Sequence, residues 1–143
     1  MSKISQLINK KRLYFDGGMG TVLQKRGLKS GDLPENWNLK HPEIIESIHR
    51  EYLDAGANII TTNTFGVNCL KHDNYDELIV SAVNCAKNAV KDYDDGFVAF
   101  DIGPLGKFLE PIGDLPFETA VEVFAKNIRV AQRCGVDLVI IET

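Results

Sequence analysis

Four short apolar runs are spread along the 143 residues, and a hydrogen-bonding side chain ends each of them. Arg12–Phe15 stops at Asp16, the Asn58–Thr64 run carries Asn63 near its end, Phe97–Phe100 stops at Asp101, and Leu138–Ile141 at Glu142. Between the runs, apolar residues recur at helical spacing. A strand that is apolar on successive residues is buried on both faces, the habit of parallel strands joined by helices. The pattern predicts an α/β fold with four parallel strands, either a (β/α) barrel or an open doubly wound sheet.

The helical segments follow from their spacing. A short amphipathic helix is expected over Ser2–Lys11, with Ile4, Leu7 and Ile8 on one side, and a helical turn over Thr21–Arg26. His41-Pro42-Glu43 opens a helix that carries Ile44, Ile45, Ile48, Tyr52 and Leu53 and closes at Gly56. Asp76–Asp92 has a stripe of Leu78, Ile79, Ala82, Val83, Ala86 and Val90. In the last helix, Phe117–Arg133, the residues expected to face inward are Val121, Phe124, Ile128 and Ala131.

An internal repeat supports this layout. Ala55–Thr64 aligns with Cys134–Thr143, each copy reading helix-closing glycine, small residue, Asn or Asp, apolar strand, polar residue, Thr. In a parallel sheet the strand-ending positions Asp16, Asn63, Asp101 and Glu142 share the carboxyl edge, where (β/α) enzymes keep their chemistry. Asp and Asn also end strands and cap helices for purely structural reasons. That all four runs end this way, three of them in a carboxylate, points to a shared site and favours the barrel.

The motifs at this edge each have two readings. Asp16-Gly17-Gly18-Met19-Gly20-Thr21 is either a tight turn or a loop that lets a small ligand lie against bare backbone. It matches neither the dinucleotide fingerprint nor the phosphate-loop pattern. Asn63-Thr64-Phe65-Gly66 and Asp101-Ile102-Gly103-Pro104 are further rim segments or plain turns. Glu142, directly behind an apolar strand, is costly to bury unpaired and should meet a cation, either a ligand ammonium or an Arg or Lys of the fold.

Composition narrows the function. Sixteen basic against twenty acidic residues give a net charge of −4, which argues against a nucleic-acid surface. No apolar run approaches the roughly 18 residues of a membrane span, and the first residues do not read as a signal peptide. Cys69, Cys85 and Cys134 are far apart and form no C-x-x-C pair, so reduced, buried thiols in a cytoplasmic protein are expected. His41, His49 and His72 show no ligand spacing and are not read as catalytic bases. Trp37 is expected to pack a loop over the barrel.

The series D-G-G-M-G-T, L-P-E-N-W-N-L-K-H-P-E, Y-L-D-A-G-A-N-I-I-T-T-N-T-F-G, D-I-G-P-L-G and G-V-D-L-V-I-I-E-T resembles the homocysteine S-methyltransferase family. Its order and spacing are most similar to the N-terminal homocysteine-binding module of the cobalamin-dependent methionine synthase type. The resemblance covers residues 12–143. It implies a (β/α)8 barrel in which zinc, held by three cysteines, activates the homocysteine thiol, with cobalamin as methyl carrier. It further implies that Asp16, Gly17 and Glu142 position homocysteine, Glu142 near its ammonium, with Gly18, Met19, Asn63 and Asp101 on the same rim.

The sequence also departs from the family pattern. The zinc cysteines belong to later strands, in G-x-N-C and G-G-C-C-G-T segments, and no G-G-C-C occurs here. Gly66-Val67-Asn68-Cys69 spells G-x-N-C but follows the second strand, so no metal role passes to Cys69. A (β/α)8 barrel takes about 250 residues. The expectation is therefore that residues 1–143 form the N-terminal half of the barrel, truncated after the fourth strand and inactive alone. Such a half would lack the C-terminal half and any folate- and cobalamin-binding modules, and would self-associate through open edges. Two other readings are kept: a non-catalytic small-molecule-binding or assembly fragment, and a flavodoxin-like sheet holding a phosphorylated ligand at the Asp16-Gly17-Gly18 loop.

Overall fold

Three of the four apolar runs lie side by side in a computed structural model of the chain, which describes residues 3–8 and 10–143. β1 (Ile59–Thr61), β2 (Phe97–Ile102) and β3 (Leu138–Ile141) form a parallel sheet in that order. Ile60 stands opposite Val98, and Phe100 opposite Val139. The helices are α1 (Lys3–Leu7), α2 (Met19–Lys25), α3 (Trp37–Lys40), α4 (Pro42–Asp54), α5 (Tyr75–Val90) and α6 (Phe117–Cys134). A 3-10 turn at Pro34–Asn36 leads into α3. The crossover from β1 to β2 is α5, and that from β2 to β3 is α6.

The first expected strand is shorter than its sequence suggests. Arg12–Phe15 contributes one parallel bridge, Phe15 opposite Ile59. The amides of Asn58 and Ile59 both donate to the Tyr14 carbonyl, and the Asp16 amide donates to Ile59. The Tyr14 amide turns instead to the Asn58 side-chain oxygen, at 3.2 Å, which interrupts the ladder. Four strands thus become three and a bridge, with the parallel direction kept.

Period-two alternation divides β2, buried along all six residues, between two environments. Val98 packs with Leu53, Ile60, Ala86 and Ala89, and Phe100 and Ile102 pack with Leu78, Ile79, Val83 and Val130, which is the helical side. Phe97 and Ala99 face the other way, toward Ile59 and Ile4 of α1. Full burial of each large apolar side chain contributes about 1.5–3 kcal/mol. Asp101 shares the parity of Phe97 and Ala99, which puts a carboxylate at the carboxyl end of the face that a closed barrel would turn inward.

The expected faces of α4 and α5 are realised, with Ile45, Ile48, Leu53, Leu78, Ile79, Ala82, Val83 and Ala86 buried. The face of α6 is corrected. Ala120, Val123, Asn127, Val130 and Ala131 are buried, whereas Val121 and Ile128 are exposed. The buried stripe runs through polar Asn127, whose Nδ2 donates to the Val67 carbonyl at 2.7 Å. A search for apolar spacing passes over such a stripe and settles on the bulkier residues beside it.

Candidate active site

At the carboxyl edge of the sheet lies a cavity of about 430 Å³. The loop before α2 lines it with Asp16, Gly17, Gly18 and Met19, and the strand ends supply Thr61, Thr62, Asp101, Ile140 and Glu142. Pro34, Glu35 and Phe65 complete much of the wall. Four of the lining residues are carboxylates, and none is Lys, Arg or His. An anionic cavity without its own cation suits a positively charged ligand group.

Asp16 is half-buried and held by one residue. Its Oδ2 accepts the Thr61 amide at 2.9 Å, and its Oδ1 accepts the Thr61 hydroxyl at 2.7 Å. Burial still dominates, pushing its pKa up to about 6 against those two bonds, with the Glu142 charge adding to the rise. Carboxylate oxygens have lone pairs for a second donor, so Asp16 can hold the loop and meet a ligand. The Tyr52 hydroxyl donates to the Gly18 carbonyl at 3.0 Å. A Cβ at Gly17 would sit 3.0 Å from the Tyr52 side chain, close enough that the ring would have to give by a few tenths of an ångström.

A closed ring of hydrogen bonds fixes the backbone of Asp101. Its amide donates to Thr62 Oγ1 at 3.1 Å, the two threonine hydroxyls lie 2.7 Å apart, and Thr64 Oγ1 donates to the Asp101 carbonyl at 2.8 Å. With one proton per hydroxyl, Thr62 must donate to Thr64. The Asp101 side chain is left without support: the residue is 5% exposed, and Oδ1 is buried with no hydrogen-bond partner. Burial, then Glu142, Asp16 and Glu35, pushes its pKa up to about 7.

Asn63 behaves differently from the other three strand-ending residues. It is 6% exposed and absent from the cavity lining. Its Nδ2 donates to the Pro34 carbonyl at 2.8 Å and to Asn38 Oδ1 at 3.1 Å, while Asn38 Nδ2 donates to the Asn63 carbonyl at 2.8 Å. This pair straps residues 34–38 to the end of β1. The strap presents Glu35, which the sequence reading passed over. Glu35 Oε1 accepts the Gly66 amide at 2.7 Å, across 31 residues. A Cβ on Gly66 would collide with that carboxylate. No local pattern marks a partner so far away in the chain.

Glu142 lines the cavity but is exposed, contrary to the expected burial. It follows β3, which among the described residues pairs with β2 on one side and with no strand on the other. Its amide donates to the Ile102 carbonyl at 2.9 Å.

The remaining candidates lie away from this edge. His49 is fully buried with both nitrogens unpartnered, and burial drives its pKa down to about 3, which keeps it neutral. Trp37 packs against Leu23 of α2, Leu28 of the loop that follows it, and Ile45 and Ile48 of α4. Of the three thiols only Cys85 is fully buried; Cys69 and Cys134 are half-buried.

A parallel α/β sheet with its crossover helices, and a cavity at its carboxyl edge, is the architecture of the N-terminal part of a (β/α) barrel. The family model described as homocysteine S-methyltransferase matches residues 13–143, and the chain belongs to that family. Among solved structures it is similar to the homocysteine methyltransferase MmuM from Escherichia coli. The metallated form has a TM-score of 0.83 at 21% identity, over 99% of this chain and 57% of that one. The apo form gives 0.71 at 25%, over 93% of this chain and 50% of that one. The chain thus spans about half the length of the solved structures it matches. No helix among the described residues is long and apolar enough to cross a membrane.

The zinc implied by the sequence resemblance does not fit the side chains present. Among the described residues no three His, Cys, Asp or Glu groups are placed to hold a metal ion. Cys85 packs with Leu23, Leu28, Ile45 and Ile48, and burial first, then Glu46, pushes its thiol up to about 12. Cys69 and Cys134 belong to two other clusters. No step through a metal is assigned to these residues.

Proposed function

We propose that residues 1–143 are the N-terminal half of a homocysteine-binding barrel, in an enzyme of the methionine synthase type. The whole enzyme would transfer a methyl group to the homocysteine thiol and yield methionine. The zinc and cobalamin that the family resemblance implies would be held by residues outside this chain and would supply thiol activation and methyl carriage there. This half would supply the amino-acid subsite. Asp101 and Glu142 take the ammonium, and Asp16 holds its loop against Thr61 within reach of the same group. Gly17 and Gly18 let the ligand lie close to bare backbone. Met19 and Phe65 face its apolar side chain, and Asn63 acts as a positioning residue through the strap.

The observation that carries this reading is the cluster of four lining carboxylates with no basic side chain, within a chain of this family. The same charge counts against a phosphate ligand at the Asp16-Gly17-Gly18 loop, because Asp16 would repel it. The C-terminal half of the barrel, with folate- and cobalamin-binding modules, is the proposed set of partners. Without them, the exposed edge of β3 would associate with a second copy.

Calorimetric titration tests the assignment. L-homocysteine should bind the chain without zinc, at least about tenfold more weakly after Glu142→Ala, a loss of about 1.4 kcal/mol. A nucleotide should give no heat, and zinc, homocysteine and a methyl donor together should give no methionine. Nucleotide binding, or methionine formed by this chain alone, would overturn the proposal.

A further inference from the structure

The side chain of Asp101 has no counterpart in the rest of the cavity. Asp16 has two donors from Thr61, Glu35 has the Gly66 amide, and Glu142 reaches solvent. Asp101 is buried to the same degree as the apolar core, yet its Oδ1 meets no donor. Every ionisable side chain lining the cavity is acidic: Asp16 from the loop before α2, Glu35 from the 3-10 turn and Glu142 after β3. Tyr52 of α4 packs against Gly17, donates to the Gly18 carbonyl and feels the Asp16 charge, and the segment after β1 offers threonine hydroxyls already engaged around the Asp101 backbone.

We propose that Asp101 is the proton-exchange residue of this cavity: it is a neutral acid when the site is empty and a carboxylate when an amino-acid ammonium is bound. The proposal rests on the amino-acid reading above and adds its proton balance. The ligand arrives as R–NH3+, since α-amino groups are protonated at pH 6. The O–H bond of the Asp101 carboxyl breaks, its proton goes to buffer, and the resulting carboxylate pairs with the ammonium. At pH 6 one positive charge enters as the ammonium and one leaves as the proton.

The reason is electrostatic. Close carboxylates that share a low-dielectric site cannot all ionise, and the least solvated one keeps its proton. Asp101 is that one, with a pKa near 7 against about 6 for Asp16. A cation beside the carboxyl group in the cavity reverses the preference, because it stabilises only the ionised form.

L-methionine is the probe, because it keeps the ammonium and carboxylate but has no titratable thiol. Titrated into this chain at pH 6 in two buffers of different ionisation enthalpy, it should release about one proton per molecule bound, falling to about one tenth at pH 8. N-acetyl-L-methionine, which lacks the ammonium, should release none. In Asp101→Asn, the release at pH 6 should fall by at least about half, with Asp16 supplying what remains. Heat independent of buffer at pH 6, with L-methionine bound, overturns the proton exchange and leaves the amino-acid reading standing. Absence of L-methionine binding overturns both. Carboxyl carbon-13 NMR of the free chain checks the exchange without a ligand: Asp101 should titrate at least about two pH units above an ordinary aspartate. An ordinary midpoint there sinks the proposal, whether or not L-methionine binds.

Discussion

The two copies of the internal repeat, Ala55–Thr64 and Cys134–Thr143, begin alike and end in different surroundings. Both open with a glycine in the left-handed region, Gly56 at φ +106° and Gly135 at φ +70°, a conformation that favours glycine when a helix must stop. Both then use a side chain to catch a neighbouring backbone amide. Asn58 Oδ1 accepts Tyr14 N–H at 3.2 Å, and Asp137 Oδ2 accepts Val98 N–H at 2.8 Å. Beyond this point the copies part. Ile60 is 0% exposed and its counterpart Val139 is 41% exposed, while buried Asn63 corresponds to exposed Glu142. β1 has β2 on one side and the Phe15 bridge on the other, whereas β3 has β2 alone. Caps and strand starts are local properties; burial depends on how many neighbours a strand acquires.

Paired substitutions at matching positions test this contrast. The largest effect is expected in the strand cores: Ile60→Ala should cost about 3 kcal/mol in urea denaturation, and Val139→Ala less than about 1. Equal losses would mean that β3 is as well covered as β1. Next come the strand-ending residues. Asn63→Ala removes the two strap bonds donated by Nδ2 and leaves Asn38 Oδ1 buried and unpaired, a cost of about 2 kcal/mol, against about 0.5 or less for Glu142→Gln. A destabilised Glu142→Gln would show that its side chain has a structural partner. The smallest effect concerns the open edge, where Ile141 is 79% exposed. Ile141→Lys should weaken self-association about tenfold in sedimentation equilibrium, or about 1.4 kcal/mol, with folding stability unchanged. A wild-type chain that stays monomeric at high concentration would remove the basis for that edge contact.

Much of the cavity was legible beforehand because strand direction and strand-ending chemistry are sequence properties. Asp16, Asp101 and Glu142 were placed together by the parallel arrangement alone, and the structure brings all three to one cavity. Asn63 obeyed the same rule of position but took a structural partner, Asn38, which no spacing rule could supply. Glu35 was missed for the complementary reason. Its place at the rim depends on the strap and on the absence of a Cβ at Gly66, neither of which is visible within its own segment. The α6 face was misjudged because one polar residue, Asn127, sits in the buried stripe, and Glu142 because nothing in its own run tells that β3 is outermost.

The amino-acid sequence by itself determined the alternation of strands and helices, their common direction, the glycine stops and the family. These follow from side-chain periodicity and backbone preference over a few residues. Tertiary structure decided which polar residues became struts and which were left facing the cavity. It also decided which carboxyl was left with a buried oxygen and no donor for it. Solvation and hydrogen-bond supply are set by groups dozens of residues apart, so they come into being only when the chain has folded.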